Sequence, residues 1–158
     1  MDERPLDLGQ LFATLAHERV DYTIIGGVAV QVHGHRRTTR DLDVIPRPEP
    51  ENLRRLTAAL VALEASPRDM PGGGAPSADQ LGVAPVVPPL MTRHGALHIL
   101  NAVPGAAPYH QLRDRALVLE VDEVEVAIAS LDDLISMKRA AGRPRDLSDI
   151  AALVEANP

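Results

Sequence analysis

The sequence predicts an α+β domain in which a mixed sheet of about four or five strands is flanked by helices. Short β-branched runs that end at Gly or Pro indicate strands, and apolar residues at helical spacing near both ends of the chain indicate helices. A length of 158 residues supports one domain with a real core rather than two. We therefore expect residues 1–158 to form a single domain.

Composition excludes several classes of site. The chain has no cysteine, which excludes disulfides, zinc thiolate centres and thiol nucleophiles. One Phe, two Tyr and no Trp are too few for an aromatic platform that stacks single-stranded nucleic acid. The net charge of −6 comes from six acids and no base between residues 120 and 133, and the remainder is balanced. Without a leader-like N-terminus or a long apolar run, we expect a cytoplasmic protein with no membrane segment.

The first third of the chain predicts helix, strand, helix, strand and helix in turn. Leu8, Leu11, Phe12 and Leu15 have helical spacing within 7–19. Residues 22–25 form a short β-branched run that stops at Gly26-Gly27, after which a helix can begin at Val28. The alternation of residues 41–45 predicts a strand that the following prolines close, and residues 51–65 predict a helix.

The rest of the chain begins with a loop rich in Pro and Gly at 66–89, with one short strand expected near Val86. Three strands then follow, at 96–101, 116–119 and 124–128. Ser130 and Asp133 form a capping pattern for a helix over 131–141. Asp146 is expected to cap a last helix whose apolar positions are Leu147, Ile150, Leu153 and Val154.

The most informative candidate functional residues lie between Ile24 and Ile45. In this segment thirteen residues separate the Gly26-Gly27 pair from Asp41-Leu42-Asp43. Backbone N–H groups at a Gly turn before a helix can hold phosphates, although a plain tight turn needs the same residues. Asp41 and Asp43 point to one strand face because side chains alternate, so they can bind a hard cation such as Mg²⁺. A solvated strand edge is the alternative interpretation.

This segment resembles the signature of the nucleotidyltransferase superfamily that includes DNA polymerase beta: an apolar residue, Gly-Gly or Gly-Ser, a spacer of this length and Asp-apolar-Asp. The wording around His33, Gly34, Arg37 and Thr39 is similar to the bacterial toxin branch called AbiEii or MenT. The tail LISMKRAAGRPRDLSDIAAL is also similar to that branch. The stretch 47–92 carries no recognisable motif.

The resemblance implies a nucleotidyltransferase-like domain and a role for each matching residue. Asp41 and Asp43 would hold Mg²⁺ or Mn²⁺ as catalytic metal ligands. An NTP would be bound by a set of five residues: Gly26, Gly27, Arg37, Thr39 and Lys138. Lys138, with Arg37, would also act catalytically by neutralising charge on the leaving pyrophosphate, and Thr39 would brace the turn.

His98 stands where the family pattern has a third carboxylate, in Gly95-Ala96-Leu97-His98. The resemblance implies that this carboxylate completes a two-metal site and accepts the proton of the attacking hydroxyl. An imidazole adds no negative charge and prefers softer metals than Mg²⁺. It can still act as a general base, so His98 is a candidate catalytic residue, with a structural histidine as the alternative.

Lys138 lies on the expected buried stripe of the helix over 131–141, together with Leu131, Leu134, Ile135 and Ala141. A buried ammonium needs an anion, either the phosphate pocket with Asp41 and Asp43 or a carboxylate at the core edge. Lys138→Met is expected to keep the fold.

Asp146 and Asp149 have the spacing of an N-cap and its N3 partner. Two basic clusters would form a phosphate-binding rim: Arg36, Arg37 and Arg40, and Lys138, Arg139, Arg143 and Arg145.

Three functions remain open at this point. The first is an enzyme that moves an NMP from an NTP to a hydroxyl of tRNA, another RNA or a protein, with a cognate antitoxin as partner. The second is a degenerate module that binds nucleotide or a partner without turnover, because His98 replaces a carboxylate. The third is a small-molecule, antibiotic-type nucleotidyltransferase.

The Pro and Gly content of residues 66–89 predicts a flexible flap that becomes ordered when substrate or a partner binds. Amide hydrogen exchange of the free protein should be much faster in this segment than in the strand that carries Asp41. Equally slow exchange in both segments would contradict the prediction.

Overall fold

A computed structural model describes residues 4–83 and 87–158. Its helices are α1 (Leu8–His17), α2 (Gly26–Val32), α3 (Pro50–Ala62), α4 (Ala78–Val83), α5 (Tyr109–Asp114), α6 (Leu131–Ala141) and α7 (Pro144–Ala156). Its strands are β1 (Tyr22–Ile25), β2 (Asp41–Pro46), β3 (Ser66–Pro67), β4 (Leu90–Thr92), β5 (Gly95–Ile99), β6 (Leu117–Val121) and β7 (Val124–Ile128). In the described residues, no helix is both long and apolar enough to cross a membrane.

The seven strands of the described residues form one mixed sheet in the order β3-β4-β5-β2-β1-β7-β6. The centre combines both orientations, since β1 is antiparallel to β2 while β2 is parallel to β5 and β1 is parallel to β7. Because β1 and β2 are antiparallel, the start of β2 lies beside the end of β1. Asp43 therefore lies opposite Ile25, the last residue of β1. His98 of β5 lies opposite Asp43 on the other side of β2.

The centre of the sheet is covered on both faces, and β1 is accordingly buried along its whole length. Ile24 and Val44 belong to the main core, which α1 and α3 also fill. Ile25 and Ile45 point to the other face and join a smaller core with Met137 of α6. Side-chain alternation puts Asp41, Asp43 and His98 on this second face, beside the smaller core.

The predicted mixed sheet flanked by helices is confirmed, and strands 22–25 and 124–128 have the expected bounds. The sheet has more strands than predicted because β3 and β4 are too short to show alternation. The expected loop at 66–89 contains β3 and also α4, whose Leu81 is fully buried. Helix α5 was not predicted, and the strand expected near Val86 falls outside the described residues.

Candidate active site

The two aspartates lie at the start of β2, beside the turn at which β1 ends and α2 begins with Gly26 and Gly27. Asp41 and Asp43 line one cleft with Gly26 and Gly27, and the cleft has a volume of about 1050 Å³. The smaller core covers only part of this sheet face, and the cleft lies beside it, around Asp41, Asp43 and His98. The structure therefore brings together the two motifs that the sequence separates by thirteen residues.

Glycine is required at both turn positions for a steric reason. Gly26 has φ of +68°, and a Cβ there would overlap the Asp43 carboxylate. A Cβ on Gly27 would lie 2.6 Å from Thr39 Oγ1 and 3.3 Å from Arg37 Nη2. The missing side chains thus make room for Asp43, Thr39 and Arg37 to pack on the turn. The Thr39 hydroxyl also donates to the Asp41 carbonyl at 3.1 Å, which matches its expected bracing role.

Each aspartate has a nitrogen group within reach. His98 Nδ1 lies 3.5 Å from Asp43 Oδ1, and this imidazole is about one quarter exposed. Arg68 Nη2 lies 3.6 Å from Asp41 Oδ1. His98, which stands where the resemblance implies a third carboxylate, therefore lies beside Asp43.

Lys138 is buried, as predicted, and its ammonium is held by two buried carboxylates of α7. Its Nζ lies 3.0 Å from Asp149 Oδ2 and 3.4 Å from Asp146 Oδ1. Asp149 also meets Arg37 Nε at 3.0 Å, so one carboxylate joins the segment before β2 to α6. Lys138 lines the cleft with Asp41 and Asp43, but its ion pairs are with α7. We refer to Arg37, Lys138, Asp146 and Asp149 as the buried ion cluster.

The last helix differs from the prediction in its start and in its buried face. Its N-cap is Arg143, with Pro144 in the first turn, so Asp146 is the N3 residue rather than the cap. Asp146 accepts hydrogen bonds from Arg143 N at 3.1 Å and Arg143 Nε at 2.6 Å. Leu147 and Val154, two of the apolar positions of the predicted helix, are more than half exposed because Asp146, Asp149 and Leu153 take the buried face.

Hydrogen bonds from the Arg143 guanidinium, together with the charge of Lys138, lower the pKa of Asp146 to about 2. The same contacts raise the pKa of Arg143. Asp146 is thus held as a carboxylate, and it carries the negative charge that the buried ammonium of Lys138 needs.

The cleft is strongly cationic, although the chain is acidic. Seven basic residues line it among the described residues: Arg4, Arg37, Arg40, Arg68, Lys138, Arg143 and Arg145. Only three carboxylates, those of Asp41, Asp43 and Asp146, line it with them. The lining residues therefore carry about +4, against −6 for the whole chain. Five members of the two predicted basic clusters contribute to this lining, whereas Arg36 and Arg139 do not.

The fit of the site to a divalent cation follows from its donors. In the parts of the chain that the structure describes, no three His, Cys, Asp or Glu side chains come together as a metal-binding group. Mg²⁺ commonly takes one or two carboxylates from a protein and further oxygens from substrate phosphates. Asp41 and Asp43 fit that smaller requirement, while the nitrogen of His98 does not suit Mg²⁺.

Sequence reasoning did not find two parts of the site. Arg68 reaches Asp41 only because β3 and β4 extend the sheet beyond β5, and a two-residue strand has no detectable pattern. The apolar wall, which includes Leu100, Val103 and Met137, comes from the segment after β5 and from α6. A surface of this kind can hold the flat, weakly polar face of a nucleobase.

One family model and several solved structures are similar to this chain. A family model described as a nucleotidyltransferase of unknown function (DUF6036) matches residues 7–155. The lincosamide antibiotic adenylyltransferase LnuA in its lincomycin-bound form superposes with a TM-score of 0.64 at 13% identity, covering 98% of this chain and 100% of that chain. No curated protein matches the sequence.

Two further solved structures share the fold. A putative nucleotidyltransferase from Thermotoga maritima has a TM-score of 0.58 at 12% identity, over 94% of this chain and 90% of that chain. An antigenic nucleotidyltransferase-like protein from Paracoccidioides brasiliensis has a TM-score of 0.53 at 16% identity, over 96% and 78% respectively. At such identities the likeness concerns the fold.

Lys138→Met should destabilise the protein, contrary to the expectation from sequence, because it removes the ammonium that Asp146 and Asp149 share. Breaking a buried ion pair costs about 3 kcal/mol in the free energy of unfolding. Urea unfolding measures this loss. Arg139→Met, one position along on the exposed face of α6, is the matched control and should change little. Equal stability of both variants would contradict a structural role for the cluster.

Asp146→Asn should lower the free energy of unfolding by about 2 kcal/mol at neutral pH, as expected for a carboxyl whose pKa falls from 3.8 to about 2 on folding. Because the pKa of Asp146 is lower in the folded protein than in the unfolded chain, the ionised carboxylate stabilises the fold at pH values above the unfolded pKa. This stabilisation is lost as the pH falls through the folded pKa. The difference from the unmodified protein should therefore shrink between about pH 4 and pH 2. Denaturant unfolding across this range, with exposed Asp69→Asn as control, tests it; a difference independent of pH would contradict it.

Proposed function

Since this chain belongs to the DUF6036 family of nucleotidyltransferases, we propose that it is an enzyme that transfers a nucleoside monophosphate from an NTP to a hydroxyl group. In this reaction the acceptor oxygen forms a bond to the α-phosphorus and the bond to the bridging oxygen breaks. Pyrophosphate leaves, and the hydroxyl proton goes to a base. The observation that carries the proposal is a cationic cleft that faces one pair of carboxylates, Asp41 and Asp43.

The cations of the cleft suit a triphosphate. Arg37 and Lys138 line it together with Gly26 and Gly27. Two ion pairs to Asp149 hold Arg37 and Lys138 in place before substrate arrives, so little reorganisation is needed to stabilise the leaving pyrophosphate. Arg143 and Arg145 at the start of α7 extend the positive rim.

A divalent cation would be held by Asp41 and Asp43 with phosphate oxygens of the NTP. When bound, Mg²⁺ or Mn²⁺ would supply Lewis-acid stabilisation of the reacting phosphate. The role of the chain is to keep both carboxylates on one strand face and to hold Asp43 against the Gly26 turn.

The charge of the cleft favours an anionic acceptor. An NTP with one divalent cation carries a net charge of about −2, which leaves an excess of positive charge on the lining residues. Arg68 directly follows β3 and lies 3.6 Å from Asp41, so positive charge also lines the cleft beside this carboxylate. We therefore propose RNA, including tRNA, as the acceptor in preference to a protein. A toxin role and a cognate antitoxin remain hypotheses that rest on sequence resemblance.

His98 supports a second candidate, a nucleotide-binding protein that turns over slowly or not at all. Its imidazole lies 3.5 Å from Asp43, where the resemblance implies a carboxylate. With one carboxylate fewer, the site attracts a second hard cation more weakly. A small-molecule acceptor is the third candidate, because the fold is similar to that of LnuA, an adenylyltransferase solved with lincomycin.

Incubation with each α-labelled NTP and total RNA, first with Mg²⁺ and then with Mn²⁺, tests the proposal. We expect label on RNA and release of pyrophosphate. Asp43→Asn should reduce transfer by at least about 100-fold, since it removes a metal-binding charge at the reacting phosphate. Exposed Asp69→Asn is the matched control and should retain activity.

Other outcomes of these measurements would support the second or the third candidate function. Tight NTP binding with no transfer under either metal would support the binding module, and His98→Asp should then introduce activity. Label on lincomycin in a parallel incubation that contains this antibiotic, with none on RNA, would support the small-molecule acceptor. Absence of both NTP binding and transfer would overturn the nucleotidyltransferase proposal.

A further inference from the structure

The last strand of the sheet has an open edge. β6 pairs with β7 on one side and ends the strand order, so nothing in the described sheet lies on its other side. Leu117 and Val118 are 42% and 45% exposed, which is unusual for apolar residues of a strand. β6 has no proline and no lysine, two of the residues that commonly protect edge strands from pairing.

The hairpin turn determines which backbone groups face outward. Asp122 and Glu123 form a two-residue turn with φ of 49° and 68°, the left-handed geometry that joins tight antiparallel strands. Val121 therefore forms a hydrogen-bonded pair with Val124, and such pairs alternate along the ladder. The N–H and C=O groups of Val118 and Glu120 consequently point to the open side. Among the described residues, no hydrogen bond satisfies them.

We infer that β6 pairs with β6 of a second copy, antiparallel about a two-fold axis at Leu119. This register makes Val118 of each copy exchange hydrogen bonds with Glu120 of the other, so all outward groups are satisfied. Shifting the axis to Glu120 would put two carboxylates opposite each other. Shifting it to Val118 would leave Glu120 opposite Ala116, whose N–H already donates to Arg113.

Charge at the two ends of β6 supports the same register. Residues 113–115 before the strand are Arg-Asp-Arg, with one net positive charge, and Asp122 and Glu123 follow the strand. Antiparallel pairing about Leu119 brings the acidic turn of one copy next to Arg115 of the other. The Arg115 side chain is about half exposed although it binds Asp133, so its guanidinium can also bind a carboxylate of the second copy. The basic start and the acidic end of one short strand are thus complementary to themselves.

The proposed interface is independent of the nucleotidyltransferase reaction. β7 and β1 separate β6 from β2, and the cleft lies on β1, β2 and β5. Pairing therefore leaves the cleft open in both copies. A chain that dimerises without catalysing transfer, or the reverse, would separate the two proposals.

The absence of cysteine from the chain allows a sharp test. Leu119 would face itself across the axis in a pair without hydrogen bonds, where Cα atoms are about 4.5 Å apart, a distance that a disulfide spans. Leu119→Cys should cross-link to a dimer of twice 17.0 kDa under mild oxidation. Val61→Cys, at an exposed position of α3, is the matched control and should remain largely uncross-linked.

A second variant tests the unmodified interface. Val118→Pro removes only an outward N–H and keeps the ladder to β7, so it should raise the dimer dissociation constant about tenfold or more in sedimentation equilibrium. Circular dichroism checks that this variant stays folded. A monomeric unmodified protein at about 100 µM would overturn the inference. So would a dimer that Leu119→Cys fails to cross-link.

Discussion

The candidate site depends on the two buried carboxylates of α7. Asp149 binds Lys138 and Arg37 at 3.0 Å each, and Asp146 binds Lys138 and Arg143. Without these anions, Lys138, which is only 8% exposed, would keep an unpaired charge in the interior at a high cost in free energy. With them, cations from three parts of the chain stay fixed beside the cleft. The stability of the fold and the electrostatics of the site therefore rest on the same contacts.

The position of the cleft follows from the unequal covering of the sheet. One face is closed by the main core, to which α1 and α3 contribute. On the other face the smaller core around Met137 leaves the start of β2 and the neighbouring part of β5 uncovered, and these strands carry Asp41, Asp43 and His98 there. Polar side chains in this uncovered region avoid the cost of full burial, while apolar neighbours form the wall of the cleft. The central β1, Gly turn and β2 unit is thus both a packing element and the base of the site.

Local parts of this structure could be predicted from sequence, whereas the contacts between distant parts could not. The Gly26-Gly27 turn, the face shared by Asp41 and Asp43 and the burial of Lys138 follow from spacing alone. The partner of Lys138 does not, because Asp41, Asp43, Asp146 and Asp149 are all carboxylates that a lysine could reach. The buried face of α7 was missed because periodicity counts apolar residues, and here Asp146 and Asp149 are inside. Pro144 was the available signal, since proline in the first turn places the cap at Arg143 rather than at Asp146.

The residues of the buried ion cluster are synthesised at well-separated times. Its members lie at positions 37, 138, 146 and 149, so the contacts close a loop of more than a hundred residues. During synthesis the ribosome releases the Gly turn and both aspartates of β2 long before Asp149 emerges. A nascent chain can therefore form the carboxylate pair, but not the fixed cations that face it. The cationic side of the cleft would therefore be completed only after α7 has emerged and docked.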